Sequence, residues 1–96
     1  MSWHGQRNND PEEKFILRND ILFTVDRKQI VVADRSKGTS TIITYPDAAI
    51  WSVLIENHNR PEAILILQAI MNKSKAETLK MIDRCLATWR ESGLIE

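Results

Sequence analysis

The sixteen residues SKGTSTIITYPDAAIW, Ser36 to Trp51, change character twice. They begin as a turn, with Gly38 suited to positive φ because a residue without Cβ enters the left-handed region at no steric cost. They continue through TSTIIT, residues 39–44, β-branched and therefore extended, yet barely hydrophobic. They end on Tyr45-Pro46-Asp47, where a proline inside a first turn, followed by a carboxylate, signals a helix start. A strand that runs straight into a helix, with only strands before it and only helices after it, places sheet and helices in consecutive blocks. That order predicts an α+β domain.

Toward the N-terminus the period is two. ILFTVD (21–26) puts Ile21, Phe23 and Val25 on one face and Leu22, Thr24 and Asp26 on the other. Asp26, Arg27 and Lys28 form a short turn into QIVVAD (29–34), where Ile30 and Val32 alternate with Val31 and Ala33, so the two strands read as a hairpin. DRSKG then turns the chain into the third strand. Residues 1–14 are polar and without period, and are read as a disordered tail ahead of a single domain over 15–96.

Toward the C-terminus three capping signals recur. Thr44, Asn59 and Ser74 each stand three residues before a carboxylate, Asp47, Glu62 and Glu77, the spacing that satisfies two orphan amides reciprocally. They predict helices over about 45–56, 60–71 and 75–92. The second is apolar nearly all round and is expected to be the most buried. Gly93 is a left-handed stop, after which Leu94-Ile95-Glu96 can fold back. The expected architecture is a three-stranded antiparallel sheet followed by three helices, winged-helix-like in outline.

Composition narrows the function classes. Of 96 residues, 43% are hydrophobic and 27% charged, as in a folded globular domain. Thirteen basic residues balance thirteen acidic ones, so no net field draws the chain to nucleic acid or an anionic membrane. The single cysteine, Cys85, has no partner for an internal disulfide, and the longest apolar run, Ile64 to Leu67, is far too short to span a bilayer. With no apolar core in the N-terminal segment, a cytoplasmic protein is expected. The glycines Gly5, Gly38 and Gly93 are isolated, which excludes a phosphate-cradling loop. His4 and His58 lack partners at catalytic spacing, and Cys85 on an apolar helix face reads as a small hydrophobe. Asp10, Glu12 and Glu13 lie in the polar tail with nothing to shift their pKa values. The expectation is a protein without catalytic residues, metal or cofactor.

Two elements point to binding instead. The third strand is the last of a meander and contains neither proline nor charge, the devices that usually blunt an open edge, so it is suited to pairing with another strand. The third helix carries Ile82, Cys85, Leu86 and Trp89 close together, with Leu79 at one margin and Met81 and Thr78 at the other; one margin can cover the core while the other lines a groove.

Two motifs carry a resemblance. IITYPDAAIWSVL, with Ile43, Thr44, Pro46, Ile50 and Trp51 at corresponding places, and CLATWRESGLIE, a closing helix ending in Gly-Leu, resemble the PqqD-like family, also called the RiPP recognition element. The likeness runs from about Phe15 to Glu96. Thr44 stands where the family usually has a capping Asn, IENHN where an Asp-Gly turn is common, and Met81 where an acid is frequent. The resemblance implies a non-catalytic peptide-binding domain. The leader of a ribosomally made precursor peptide would add as a strand to the third strand, beside the third helix, and be delivered to a modifying enzyme such as a radical SAM enzyme. Carried over by position, the peptide-binding residues are Ser40, Thr41, Ile42 and Ile43 from the strand and Thr78, Met81, Ile82 and Cys85 from the helix. Two other readings stand beside it. A DNA-binding winged helix would use the third helix for recognition, although its Lys75, Lys80, Arg84 and Arg90 are interspersed with Glu77, Asp83 and Glu91. A homodimer would pair the open edge with its own copy.

Overall fold

A computed structural model describes residues 15–56 and 59–96; the expected tail over 1–14, His4 and His58 lie outside the described residues. The order is β1 (Ile21–Asp26), β2 (Gln29–Asp34), β3 (Thr39–Ile43), α1 (Asp47–Ile55), α2 (Arg60–Met71) and α3 (Lys75–Glu91). The sheet is an antiparallel meander with β2 in the centre, so β1 and β3 are edges. This is the α+β arrangement of three strands followed by three helices that the block order of the sequence predicts, and its outline is compatible with a winged helix.

The first turn is tighter than expected. Asp26 pairs with Gln29, leaving only Arg27 and Lys28 in the loop, with Arg27 at φ 61°. A two-residue connection needs positive φ to match the twist of its strands, and here an arginine supplies it. The second turn is held by Asp34, whose carboxylate accepts from the Ser36 hydroxyl at 2.6 Å and from the amides of Ser36 and Lys37 at 3.0 and 3.3 Å. These bonds, the Ser36 hydroxyl first, outweigh the opposing effect of burial and lower the pKa of Asp34.

Alternation decides which residues enter the core. Ile21, Phe23, Ile30, Val32 and Ile43 face inward and meet Ile50, Trp51 and Leu54 of α1 and Ile82, Leu86 and Trp89 of α3. At the centre Trp51 meets Phe15, Phe23 and Trp89 edge to face, with ring centroids 5.2, 5.7 and 5.1 Å away. Such contacts contribute about 0.5–1.5 kcal/mol each beyond burial.

Two of the three capping signals cap a helix, each through the bond that the cap side chain accepts from the amide three residues on. Asn59 Oδ1 accepts from the Glu62 amide at 2.9 Å, and Ser74 Oγ from the Glu77 amide at 3.1 Å. Thr44 does not cap. α1 starts later than expected, with Pro46 at its N-cap and no side-chain cap bond, behind a cis Tyr45-Pro46 peptide. Thr44 contributes its carbonyl instead, accepting from the Ala48 amide at 2.9 Å.

The expectation that α2 is the most buried helix is also corrected. It packs principally on α1 and α3, away from the sheet, leaving Leu65 67% and Ile70 48% exposed. The helix buried deepest is α1, which lies on β2 and holds Trp51 and Ile50 at 0% exposure. After α3 the chain turns at Gly93, φ 78°, and Leu94-Ile95-Glu96 folds back as expected. Its new partner is the segment before β1: Arg18 N donates to Leu94 O at 3.2 Å and Glu96 N to Ile16 O at 2.8 Å.

Candidate functional site: the open edge of the third strand

The phase of the sheet determines what the β3 edge offers. In an antiparallel ladder, opposed residues alternate between pairs that exchange both backbone bonds and pairs that exchange none. Asp26 and Gln29 close the first hairpin as a bonded pair, and beyond the other end Arg35 N donates to Asp20 O at 2.9 Å. Bonded pairs therefore fall at Asp26–Gln29, Thr24–Val31 and Leu22–Ala33, which turns the backbone groups of Ile30, Val32 and Asp34 toward β3. Their opposites Ile43, Thr41 and Thr39 are bonded inward. Ser40 and Ile42, opposite Ala33 and Val31, point their N–H and C=O groups outward along the open edge. The usable edge stops there. Thr44 has committed its carbonyl to α1, and Gly38 lies in a turn at φ 65°.

Beside this edge runs a cleft of about 230 Å³, walled by Thr41, Ile42, Ile43 and Thr44 on one side and by Thr88 and Trp89 of α3 and its C-cap Ser92 on the other, with Asp47 and Leu94 at its margins. α3 runs opposite to β3, and each end of the cleft has a cross-contact. Arg84 lies 3.5 Å from the Asp47 carboxylate at the α1 end, and Lys37 Nζ donates to Ser92 O at 3.4 Å at the turn end. The two walls match in length. From Thr39 to Ile43 an extended chain rises about 13 Å, and from Arg84 to Ser92 a helix rises about 12 Å.

The residues expected to meet a peptide divide into two groups. Ser40, Thr41 and Ile42 are exposed, Ile42 by 60%. Ile43 is a core residue whose edge touches the cleft. Thr78, Ile82 and Cys85 are all buried and none is among the residues walling the cleft. Thr78 turns its hydroxyl to Ser74 O at 2.8 Å. Met81, half-buried, packs on the core; at 100° per residue it lies on the same flank as Thr88, beyond the Asp47–Arg84 pair. The wall is made instead by Thr88, Trp89 and Ser92, which the sequence reading did not select for this role. Their signal was present: Arg84, Thr88 and Ser92 recur every fourth residue. A search for apolar margins passes over such a stripe because the apolar residues of α3 turn inward.

The Cys85 thiol is free and buried. Burial, the Asp47 charge and a hydrogen bond to Asp47 together push its thiol up to about 12, against a smaller opposing effect of Arg84. Among the described residues no His, Cys, Asp and Glu side chains group so as to hold a metal ion, and no helix is long and apolar enough to cross a membrane.

No protein-family model, curated protein or solved structure matches the chain.

Proposed function

We propose that this domain binds an extended peptide segment by strand addition to β3 and presents it to a modifying enzyme, as a non-catalytic recognition domain of the PqqD-like kind. The observation that carries the reading is the edge itself: Ser40 and Ile42 direct backbone donors and acceptors outward from a strand that has no charge or proline, beside a cleft whose far wall is α3. Main-chain bonds give such a site its register and make it tolerant of sequence, while alternate side chains entering the cleft give selectivity. The natural ligand in this reading is the leader of a ribosomally made precursor peptide, and the partner a modifying enzyme of the radical SAM type.

The helix wall favours a single added strand over a second copy of the sheet, because a paired copy would bring its own helices to the same side of the seam. Nucleic-acid recognition by α3 has less support: Arg84 faces Asp47, and Asp83 lies 3.8 Å from Arg60, so this surface mixes both signs.

The test is a ¹⁵N-HSQC titration of the full chain with leader segments of short peptides encoded beside its gene. Saturable shifts at Ser40, Ile42, Thr88 and Trp89 are expected, with a matching change in indole fluorescence because Trp89 lies in the wall. A folded monomer that shows no shift with any of them refutes the proposal.

A further inference from the structure

Resting on the strand-addition reading, a finer selectivity follows from the charges at the two ends of the cleft. A strand added antiparallel to β3, the slightly more stable sense, hydrogen-bonds through its residues opposite Ser40 and Ile42. The residues opposite Ile43, Thr41 and Thr39 then share the helix-facing side and project toward α3, since cross-strand neighbours lie on one face. Along the added chain, from its N-terminal side, the first of these meets the Asp47–Arg84 end, the second meets Thr88 and Trp89, and the third meets the Lys37 end.

The two ends differ in how their charges are met. At the α1 end a carboxylate and a guanidinium face one another at 3.5 Å. At the turn end, among the described residues, Lys37 Nζ makes one long bond, 3.4 Å, to the neutral carbonyl of Ser92. Lys37 also lines the neighbouring hollow with Arg18, Asp20, Asp34 and Glu96, and meets the cleft at Ser92. Among the described residues none of these acids lies within ion-pair distance of its ammonium, and the Asp34 carboxylate is occupied by Ser36 and by the Lys37 amide. An ammonium has three donors, so it can hold a carboxylate without releasing Ser92 O, and a charge-assisted bond to a carboxylate is about twice as strong as one to a neutral acceptor. The central position is different in kind, with the Trp89 ring and Leu94 beside the hydroxyls of Thr41 and Thr88 and no unbalanced charge.

We infer that Lys37 is a specificity-determining residue of the cleft, selecting an extended segment that carries Asp or Glu two residues C-terminal to an uncharged side chain seated against Trp89.

A random nine-residue peptide library panned against the full chain tests this, with Lys37→Glu and Lys37→Met panned in parallel. Lys37 is exposed, so all three proteins are expected to fold, and their HSQC spectra check it. Binders of the native protein should be enriched in Asp or Glu at that position. Replacing the acid by its amide should weaken binding to the native protein by up to about fivefold, as for an exposed ion pair, and leave binding to Lys37→Met unchanged. Lys37→Glu should shift the enrichment to Lys or Arg. Binders that map to the β3 edge without an acid preference, or with one that Lys37→Glu leaves intact, overturn this assignment and spare strand addition. A library that yields no binder to the β3 edge overturns both.

Discussion

The backbone phase of β3 can be tested before any ligand is known, by placing proline at two adjacent positions. Thr41 lies opposite Val32 in a bonded pair, so Thr41→Pro deletes its N–H donor to the Val32 carbonyl inside the ladder. Losing that bond costs about 1 kcal/mol, and stranding the buried carbonyl brings the total to about 2–4 kcal/mol. Ile42 is the neighbour whose N–H faces the open edge, so Ile42→Pro removes no ladder bond, and proline is tolerated at such edge positions. Its cost is packing alone: with Ile42 60% exposed, about two-fifths of a full burial of about 1.5–3 kcal/mol is at stake, or about 1 kcal/mol. A domain of 96 residues loses about 4–8 °C in Tm per kcal/mol. Thr41→Pro is therefore expected to lower Tm by about 8–32 °C and Ile42→Pro by no more than about 8 °C. Thermal and urea unfolding followed by circular dichroism read the difference. Native-state amide exchange gives a second reading without mutation, with Thr41 and Ile43 protected and Ser40 and Ile42 exchanging fast. Equal losses for the two prolines, or protection at Ser40 and Ile42 in a monomer, would refute the phase and with it the donors assigned to the peptide. If the phase holds, Ile42→Pro should nonetheless abolish peptide binding, because its ring occupies the donor position an added strand requires.

Two further outcomes follow from the helix caps and the buried thiol. Asn59→Ala and Ser74→Ala should each cost about 1 kcal/mol in urea unfolding, whereas Thr44→Ala, whose hydroxyl caps no helix, should fall within about 0.5 kcal/mol of the parent; a loss at Thr44 equal to the others would restore it as a cap. Cys85 should resist alkylation by iodoacetamide at pH 8 while the chain is folded and react on unfolding in urea. Its folded pKa of about 12 lies above the ordinary 9.0, so the fold holds the proton more tightly than the unfolded chain. This thiol therefore leaves stability unchanged below pH 9 and lowers it progressively as pH rises from 9 toward about 12. Cys85→Ala should show a shallower alkaline decline than the parent; an equal slope would exclude the thiol as its source.

The order of elements was legible because each rests on local physics. A period of two over 21–34 can bury only one face of a strand, and Asn59 and Ser74 cap their helices through contacts three residues away. Thr44 offered the same spacing but not the same bond, since α1 starts only at Asp47 with Pro46 at its N-cap and a local signal has no means of registering that. The apolar wealth of α2 misled for a related reason: hydrophobicity states what a helix can bury, while its distance from the sheet decides what it does bury. Two properties belonged to the tertiary structure alone. Which β3 residues face outward depends on the hairpin closing at Asp26–Gln29, because moving the turn by one residue inverts every backbone group in the sheet. Which flank of α3 forms the cleft depends on how Trp89 and Ile82 seat against the core, a rotation that places Thr88 and Ser92 beside β3 and turns Thr78 and Cys85 inward. Sequence by itself determined strands, helices and an edge without charge; packing determined which atoms that edge presents and what stands opposite them.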